Sequence, residues 1–381
     1  MTVAMPGEGS GIVHHDPELL RLFGEDIRRQ GAVMAEQVPL LRQAAETAVR
    51  GLPPRPERVY LIGCGDSLDG AMASRPLWER LLPDTAVEAV PAMTFSSYAV
   101  DTAPPGSLVV ALSQSGKVTR VIEGVRAARA RGMVTMAVTA RADSPLAAEP
   151  VDSLMVVPFP KLGPIPGTTS FTVGSIALSE VACALVPGNR SDEFRSAIDE
   201  TPASIDGAVD AVWEAAMSQA ARATRATTLL ALAAGPTLAA ARHLVRKVLE
   251  ISQLTAIWQE TEEYAHDEYS LVSDSFMVVL FAPGDRSITR TIEISHYLHR
   301  LGVDLGVITT PGHARSFSGV ADSVYATGGP AATAPLVDSV PAQILAFGLA
   351  ENLGGSMYGM GETVHRIDGD PQIYESAIVV E

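Results

Sequence analysis

Val59-Tyr60-Leu61-Ile62-Gly63-Cys64-Gly65-Asp66-Ser67 decides the fold class of this chain. Its first four residues are a short apolar run typical of a buried strand, its glycines mark a tight turn, and a helical pattern follows over residues 68–82. Similar units follow in the first half, with strands predicted at 107–112, 134–139 and 154–157 and longer helices at 119–131 and 169–185. Alternating strands and helices predict an α/β fold with a parallel sheet and right-handed crossovers.

The second half of the chain repeats this order. Its strands are predicted at 228–233, 276–281, 303–308 and 323–325, and its helices at 238–250, 288–301 and 335–349. Short sequences recur at an offset of about 170 residues, since Ser107-Leu-Val-Val-Ala-Leu matches Ser275-Phe-Met-Val-Val-Leu and Asp152-Ser-Leu matches Asp322-Ser-Val. Repetition of both order and spacing indicates that one module has been duplicated.

Proline clusters, which interrupt helices and strands, and polar stretches predict the domain boundaries. The first region is a helical lead, with one helix starting at the capping residue Asp16 and a second from Ile27 to Val49. The linker between the two modules is predicted at 188–202, which is rich in polar and turn residues. The four predicted units are residues 1–50 (helical lead), 51–190 (first domain), 203–360 (second domain) and 361–381 (a C-terminal tail over the site).

Composition and charge narrow the function classes. A chain of 381 residues with 47% hydrophobic and 19% charged residues can bury two ordinary cores. Its formal net charge of −16 argues against nucleic acid and anionic membrane surfaces as partners. Two cysteines, Cys64 and Cys183, suggest neither a disulfide framework nor a metal cluster. Because no secretory leader or membrane-spanning run is evident, we expect a soluble, cytoplasmic protein.

Two turns are predicted to lie at the carboxyl edge of the first sheet, where ligands of parallel sheets bind. In Gly63-Cys64-Gly65-Asp66-Ser67 the glycines let the backbone approach a ligand at a helix start. A dinucleotide site is the alternative, but the third glycine of that fingerprint is missing. Ser113-Gln114-Ser115-Gly116 offers hydroxyl, amide and N–H donors for a phosphate, the alternative being an ordinary serine-rich helix cap.

A third candidate region lies in the second half. Glu250 ends a predicted helix, and Glu263 and His266 follow. A carboxylate and an imidazole near one pocket could move protons on a sugar carbon and its ring oxygen. The alternatives are solvated helix charges or, for the Glu263-x-x-His266 spacing, a metal pair, which the neighbouring carboxylates do not support.

Taken together, these motifs resemble the sugar isomerase (SIS) family, in particular the isomerase half of glucosamine-6-phosphate synthase and the aminosugar-phosphate deaminase/isomerases. The resemblance covers residues 30–381 and rests on six runs: Gly63 to Ser67, Ser113 to Gly116, Thr168 to Thr172, Glu250-Ile251-Ser252, Glu263 to His266 and Ala282 to Asp285. It implies two tandem SIS domains, each a five-stranded parallel sheet flanked by helices in three αβα layers. It also implies a homodimer with shared active sites, and no cofactor or metal.

The resemblance implies a role for each matched residue. Ser113, Gln114 and Ser115 would hold the phosphate, Glu250 would move a proton between C1 and C2, and His266, lent by the neighbouring subunit, would open the sugar ring. Ser67 and Thr168 would touch the sugar. The remaining residues expected in the substrate site are Cys64, Gly65, Asp66, Lys117, Thr119, Glu263 and Ser376.

Three departures from the family pattern stand out. The phosphate loop usually continues Glu-Thr but here reads Lys117-Val118, so that Lys117 or Thr119 would have to compensate. The tail lysine of the family is replaced by Ser376, and Asp66 replaces a small hydroxyl residue. These changes point to a modified substrate or another step at the same carbons.

The expected function is therefore isomerisation or C2 deamination of a phosphorylated sugar, most simply an aminosugar phosphate, through proton transfer at C1/C2. The alternative is a non-catalytic protein that binds a sugar phosphate and regulates another process. Retained Glu250 and His266 favour the enzyme, whereas Val118 and the lost tail lysine favour the regulator.

Overall fold

A computed structural model describes residues 17–252 and 254–354, and it contains two parallel five-stranded sheets flanked by helices. The strands are β1 (Arg58–Gly63), β2 (Ala86–Pro91), β3 (Leu108–Leu112), β4 (Val134–Thr139), β5 (Ser153–Val156), β6 (Thr228–Ala233), β7 (Thr255–Glu260), β8 (Phe276–Ala282), β9 (Asp304–Thr309) and β10 (Ser323–Ala326). The longer helices are α1 (Pro17–Arg28), α2 (Gln30–Ala48), α3 (Asp66–Leu81), α4 (Thr119–Ala130), α5 (Thr169–Leu185), α6 (Asn189–Arg222), α7 (Leu238–Ile251), α8 (Ile288–Leu301) and α9 (Ala334–Leu353). The expected α/β architecture is confirmed.

The two sheets have the same strand order. The first runs β2-β1-β3-β4-β5 and the second runs β7-β6-β8-β9-β10, so each strand has a counterpart about 170 residues later. The central strands also pair in parallel in both sheets, with Leu108 opposite Val134 in the first sheet and Met277 opposite Asp304 in the second. The predicted duplication is therefore present in the fold itself.

One repeated sequence motif has a repeated structural role. Asp152 precedes the edge strand β5, and its carboxylate accepts a hydrogen bond from the backbone N–H of Thr135 at 2.8 Å. Asp322 precedes β10 and accepts from the N–H of Leu305 at 2.9 Å. In each half this aspartate satisfies a backbone donor at the start of the neighbouring strand.

Two strands were absent from the sequence-based assignment, and both lie at a sheet edge. β2 contains Glu88 and ends at Pro91, and β7 carries partly exposed Ile257 and Trp258. Edge strands bury fewer side chains and tolerate proline, so the apolar runs that mark central strands are missing there.

The segment predicted as a linker is helical. Residues 189–222 form the 34-residue helix α6, which buries Phe194, Ile198, Ile205, Val209 and Val212 along one side. The spacing of three, four and seven residues is that of a helix with one buried face, while its other face carries the polar residues that suggested a loop.

The helices join the two sheets through a common core. The main apolar cluster contains side chains of both halves, from Leu61 of β1 to Leu229 of β6, and α3 packs directly against α7. Within the described ranges no helix combines the length and apolarity that a bilayer crossing requires.

Candidate functional site

A cavity of about 220 Å³ lies at the carboxyl edge of the first sheet. Both predicted turns contribute to its wall, together with the loop between β5 and α5 and one residue of α1. The lining residues are Asp26, Cys64, Asp66, Ser67, Ser113, Gln114, Ser115, Val118, Phe159, Lys161, Leu162, Gly163, Ile165, Pro166, Gly167 and Ser170. The position is the one expected for a ligand of a parallel sheet.

The first turn brings three predicted residues to this cavity. Gly65 adopts φ +59°, a left-handed conformation that glycine tolerates, and α3 begins at the next residue. Cys64, Asp66 and Ser67 line the cavity, whereas Gly65 itself does not. Burial raises the pKa of the Cys64 thiol, so this side chain is a neutral part of the wall at physiological pH.

The second turn contains a buried hydroxyl with no partner. Ser113 Oγ lies in the cavity wall and has no hydrogen-bond partner within the described part of the chain. Gln114 Nε2 donates to the carbonyl of Ser170 at 2.8 Å, and Ser115 Oγ accepts from the N–H of Lys117 at 3.2 Å. A buried hydroxyl left without a partner is costly unless a ligand or water completes its hydrogen bond.

Gly116 makes this turn possible. It adopts φ +63°, and a Cβ atom at this position would lie 2.1 Å from Ser144 Oγ. Ser144 is itself fixed, because its hydroxyl accepts from the N–H of Ala147 and caps a short helical turn. The close approach of the two loops therefore requires glycine.

Asp66 is held by residues of the second half. His243 Nδ1 lies 3.2 Å from Asp66 Oδ1, and Lys247 Nζ donates to Asp66 Oδ2 at 2.8 Å. Although burial opposes ionisation, Lys247 and His243 hold the pKa of Asp66 well below its usual range. Asp66 is therefore a fixed carboxylate in the cavity wall.

Lys247 links this carboxylate to Glu250. Its side chain is 0% exposed, and its Nζ also donates to Glu250 Oε2 at 2.5 Å. Burial would favour the neutral amine, but the two carboxylates raise the pKa of Lys247 above its usual value. The side chain of Glu250 is 29% exposed and does not line the cavity directly, so it meets the site through Lys247 and Asp66.

A buried relay assigns the tautomer of His243. Thr172 Oγ1 donates to Gln30 Oε1 at 2.9 Å, and Gln30 Nε2 donates to Gln343 Oε1 at 2.6 Å. Gln343 Nε2 then faces His243 Nε2 at 3.1 Å, so that ring nitrogen accepts. The proton of His243 lies on Nδ1 and is donated to Asp66, and the ring stacks on Phe171 with centroids 4.2 Å apart.

Other predicted residues lie away from the cavity in this chain. His266 is 68% exposed and its Nε2 is 3.7 Å from a carboxylate oxygen of Glu262, while Glu263 is exposed on the same short segment. Neither lines the cavity of its own chain. Across the described residues, no cluster of three or more His, Cys, Asp or Glu side chains is arranged to hold a metal ion.

Thr168 has a structural partner. Its buried hydroxyl donates to Asp26 Oδ2 at 2.5 Å, and the N–H of Thr169 also donates to Asp26. Lys117 and Thr119 do not line the cavity, since Val118 occupies the wall between them. Ser376 and the predicted tail lie outside the described residues.

Sequence analysis missed Asp26 and the loop 158–167. Asp26 lies on α1, far from any motif, and is bound by Arg29 at 2.9 Å as well as by Thr168. The loop provides seven lining residues, among them Phe159 and Lys161. Its dense proline and glycine content, directly after β5, was the available signal for a loop at the carboxyl edge.

Comparison with known proteins agrees with this geometry. Residues 55–170 match the SIS domain family. A glutamine–fructose-6-phosphate aminotransferase (isomerizing) from Caulobacter vibrioides is 29% identical over 302 residues, which is 77% of this chain and 49% of that protein. The chain therefore spans about half the length of the curated relatives that it matches.

Two solved structures share the whole architecture. The C-terminal domain of glucosamine-fructose-6-phosphate aminotransferase from Francisella tularensis superposes with a TM-score of 0.76 at 19% identity, covering 88% of this chain and 97% of that one. A glucosamine-6-phosphate deaminase from Thermotoga maritima gives a TM-score of 0.69 at 18% identity, covering 87% and 95%. At these identities the likeness establishes the tandem fold.

Proposed function

We propose that this chain, a protein with an SIS domain, acts on an aminosugar phosphate by moving a proton between C1 and C2. The observation that carries the proposal is the chain of contacts from the cavity through Asp66 and Lys247 to Glu250. Through these contacts Glu250, the candidate base, is linked to the cavity that contains the phosphate-type loop. Isomerisation and C2 deamination both begin with this proton transfer.

The Ser113–Gly116 turn is the proposed phosphate site. The buried Ser113 hydroxyl has no partner within the described chain, and Ser115 has an exposed hydroxyl beside it. The turn also precedes α4, and a helix start attracts anions. Donors of this kind suit a protein of net charge −16, whose overall field repels a phosphate.

Glu250 is the proposed base. The ammonium of Lys247 donates to one of its oxygens at 2.5 Å, which orients the carboxylate. The exposed His266 would open the sugar ring in the site of a neighbouring subunit, as the family resemblance implies, so the proposal includes a homodimer with shared sites. A separate residue for ring opening leaves Glu250 for the carbon-bound proton.

Asp66 favours an amine on the ligand. His243 and Lys247 each use one hydrogen-bonding position of its carboxylate, and a carboxylate has about four. The remaining positions accept from a hydroxyl or an ammonium, and the ammonium adds an attraction between opposite charges. Because the pKa of Asp66 is held low, this preference persists throughout the neutral range.

The test is hydrogen exchange in deuterated water, followed by proton NMR at C2 of glucosamine 6-phosphate and at C1 of fructose 6-phosphate, whose C2 is a carbonyl carbon without hydrogen. We expect exchange in the native protein and a loss of about 100-fold or more in Glu250→Gln, the usual contribution of a general base. Glu293→Gln, an exposed carboxylate on α8, is the matched control and should retain full exchange. Undiminished exchange in Glu250→Gln would remove this residue from the base role.

A non-catalytic sugar-phosphate sensor is the second candidate. The apolar Val118 in the cavity wall favours it, because the family's threonine would add a hydroxyl at that point. The same ligands distinguish the two functions, since a sensor would be stabilised against heat by them without any exchange at C2 of glucosamine 6-phosphate or at C1 of fructose 6-phosphate.

A further inference from the structure

We propose that Lys161 supplies the positive charge that neutralises the ligand's phosphate, an inference that rests on the proposed function. Lys161 lies in the loop 158–167 between β5 and α5, and it lines the same cavity as Ser113 and Ser115. No sequence motif singles it out. It would replace the hydrogen bond that Val118 cannot provide.

The carboxylates that line the cavity have a cationic partner, whereas the lysine that lines it has no carboxylate partner among the described residues. Asp26 is bound by Arg29 and Asp66 by Lys247, so both lining carboxylates already have a cation. Lys161 is the one lysine or arginine among the lining residues of the described chain, and no described carboxylate lies within ion-pair distance of it. Its ammonium lies 5.9 Å from the centre of the Phe159 ring. A cation left without a carboxylate at a cavity wall is suited to an anionic ligand.

Both ends of the loop are attached to the site. On one side the N–H of Val157 donates to the carbonyl of Thr139 at 2.8 Å, and Arg29 donates to the carbonyl of Pro160, next to Lys161. On the other side Gly167 lies so close to the site that a Cβ there would be 2.2 Å from Ser170 Oγ and 2.9 Å from Asp66 Oδ2. These contacts fix the backbone on both sides of Lys161 at the cavity.

Lys117 is the competing source of charge. It follows the phosphate turn directly and its backbone N–H donates to Ser115 Oγ, but its exposed side chain does not line the cavity. The structure therefore favours Lys161, which is 44 positions further along the chain, over Lys117, which is adjacent to the turn. The two positions can be tested in parallel.

The experiment measures dissociation constants by calorimetry for inorganic phosphate, glucose 6-phosphate and glucose. We expect Lys161→Met to weaken both phosphate ligands about tenfold and to leave glucose unchanged, because a hydrogen bond to a charged group is lost. Lys161→Arg should retain most of the affinity, since it keeps the charge. Lys117→Met should cause the smaller loss, and added salt should reduce the difference between native and Lys161→Met proteins.

Each result distinguishes this inference from the function on which it rests. Unchanged phosphate affinity in Lys161→Met, or a larger loss in Lys117→Met, overturns the role of Lys161 alone. An equal loss for glucose would also overturn it, since Lys161 would then contact the sugar. Failure of the native protein to bind either phosphate ligand would overturn both, whereas a selective loss in Lys161→Met without any C2 exchange supports Lys161 and contradicts the enzyme. Melting temperatures of the three variants establish that each is folded.

Discussion

The two sheets share one topology, but their carboxyl edges differ. At the first edge, the turns around Ser67 and Ser113 surround a cavity of about 220 Å³. At the second edge, the opening next to Pro236 is only about 30 Å³ and is lined by Ala331, Ala332 and Pro335 together with residues of α3 and α6. Of the nine residues that line this opening, Arg80 is the one whose side chain can donate a hydrogen bond. The same fold thus has a polar cavity at the carboxyl edge of the first sheet and a small, mostly apolar opening at that of the second.

The equivalent helices α3 and α7 differ in charge rather than in shape. α3 carries Asp66 and Asp69, and the side of α7 that packs against it carries Arg242, Arg246 and Lys247. The arginines bind Asp69 and the lysine binds Asp66, so the second half completes the site of the first. One copy of the module provides the cavity, and the other provides the cations that bind the aspartates of α3.

The largest expected effect comes from breaking this contact between the halves. Lys247→Met leaves Asp66 and Glu250 without their shared buried cation, so we expect the free energy of unfolding to fall by about 3–5 kcal/mol. Denaturant titration measures the loss. The variant Asp66→Asn/Lys247→Met removes one charge of each sign and should recover part of that stability. A loss below about 1 kcal/mol in the single variant would contradict the pairing.

A buried carboxylate of the second half has no such cation. Asp338 on α9 accepts from Thr327 Oγ1 at 2.6 Å, and no described lysine or arginine pairs with it. Burial raises the pKa of Asp338 to about 6, whereas Asp66 is kept ionised by its partners. The same residue type is thus charged in one half and readily protonated in the other.

This difference predicts a pH dependence of stability. Since the native state binds the proton of Asp338 more tightly than the unfolded chain, stability falls as the pH rises from about 4 through 6. The total loss from this group is about 2–3 kcal/mol, at 1.36 kcal/mol per unit of pKa difference. Asp338→Asn removes this contribution, so the difference in unfolding free energy between the native protein and the variant should change by that amount across this window, as measured by denaturant titration at each pH. The exposed Asp84→Asn is the control and should keep the native pH profile.

The sequence predicted those parts of the fold that a pattern within one short stretch of residues identifies. The central strand β1 is buried on both faces, so Val59 to Ile62 form an apolar run. The residues of the proposed phosphate turn, Ser113 to Gly116, follow one another in the chain, so a short motif suffices to find them. Edge strands such as β2 lack that apolar pattern.

No pattern within a short stretch of sequence predicts the contacts that complete the candidate site. Asp66 and Lys247 are 181 positions apart, and their contact depends on how α3 packs against α7. Lys161 lies in a loop of prolines and glycines, where no periodicity indicates which side chain faces the cavity. The role of Glu250 as the base, and the contribution of His266 to the site of a neighbouring subunit, stay predictions.

The prediction with the smallest expected effect asks whether the Ser113 hydroxyl, at the carboxyl edge of the first sheet, binds a ligand or stabilises the fold. Ser113→Ala removes a buried hydroxyl that has no described partner, so the melting temperature of the free protein should stay the same or rise slightly. Affinity for glucose 6-phosphate should nevertheless fall about tenfold, because a hydrogen bond to a charged group is lost. Ser287→Ala makes the same change at the second edge, where the hydroxyl donates to Asp285 at 2.6 Å, and it should leave phosphate affinity unchanged. If Ser113→Ala instead destabilised the free protein without weakening phosphate binding, the hydroxyl would belong to the packing of the first half, and the functional difference between the two edges would disappear.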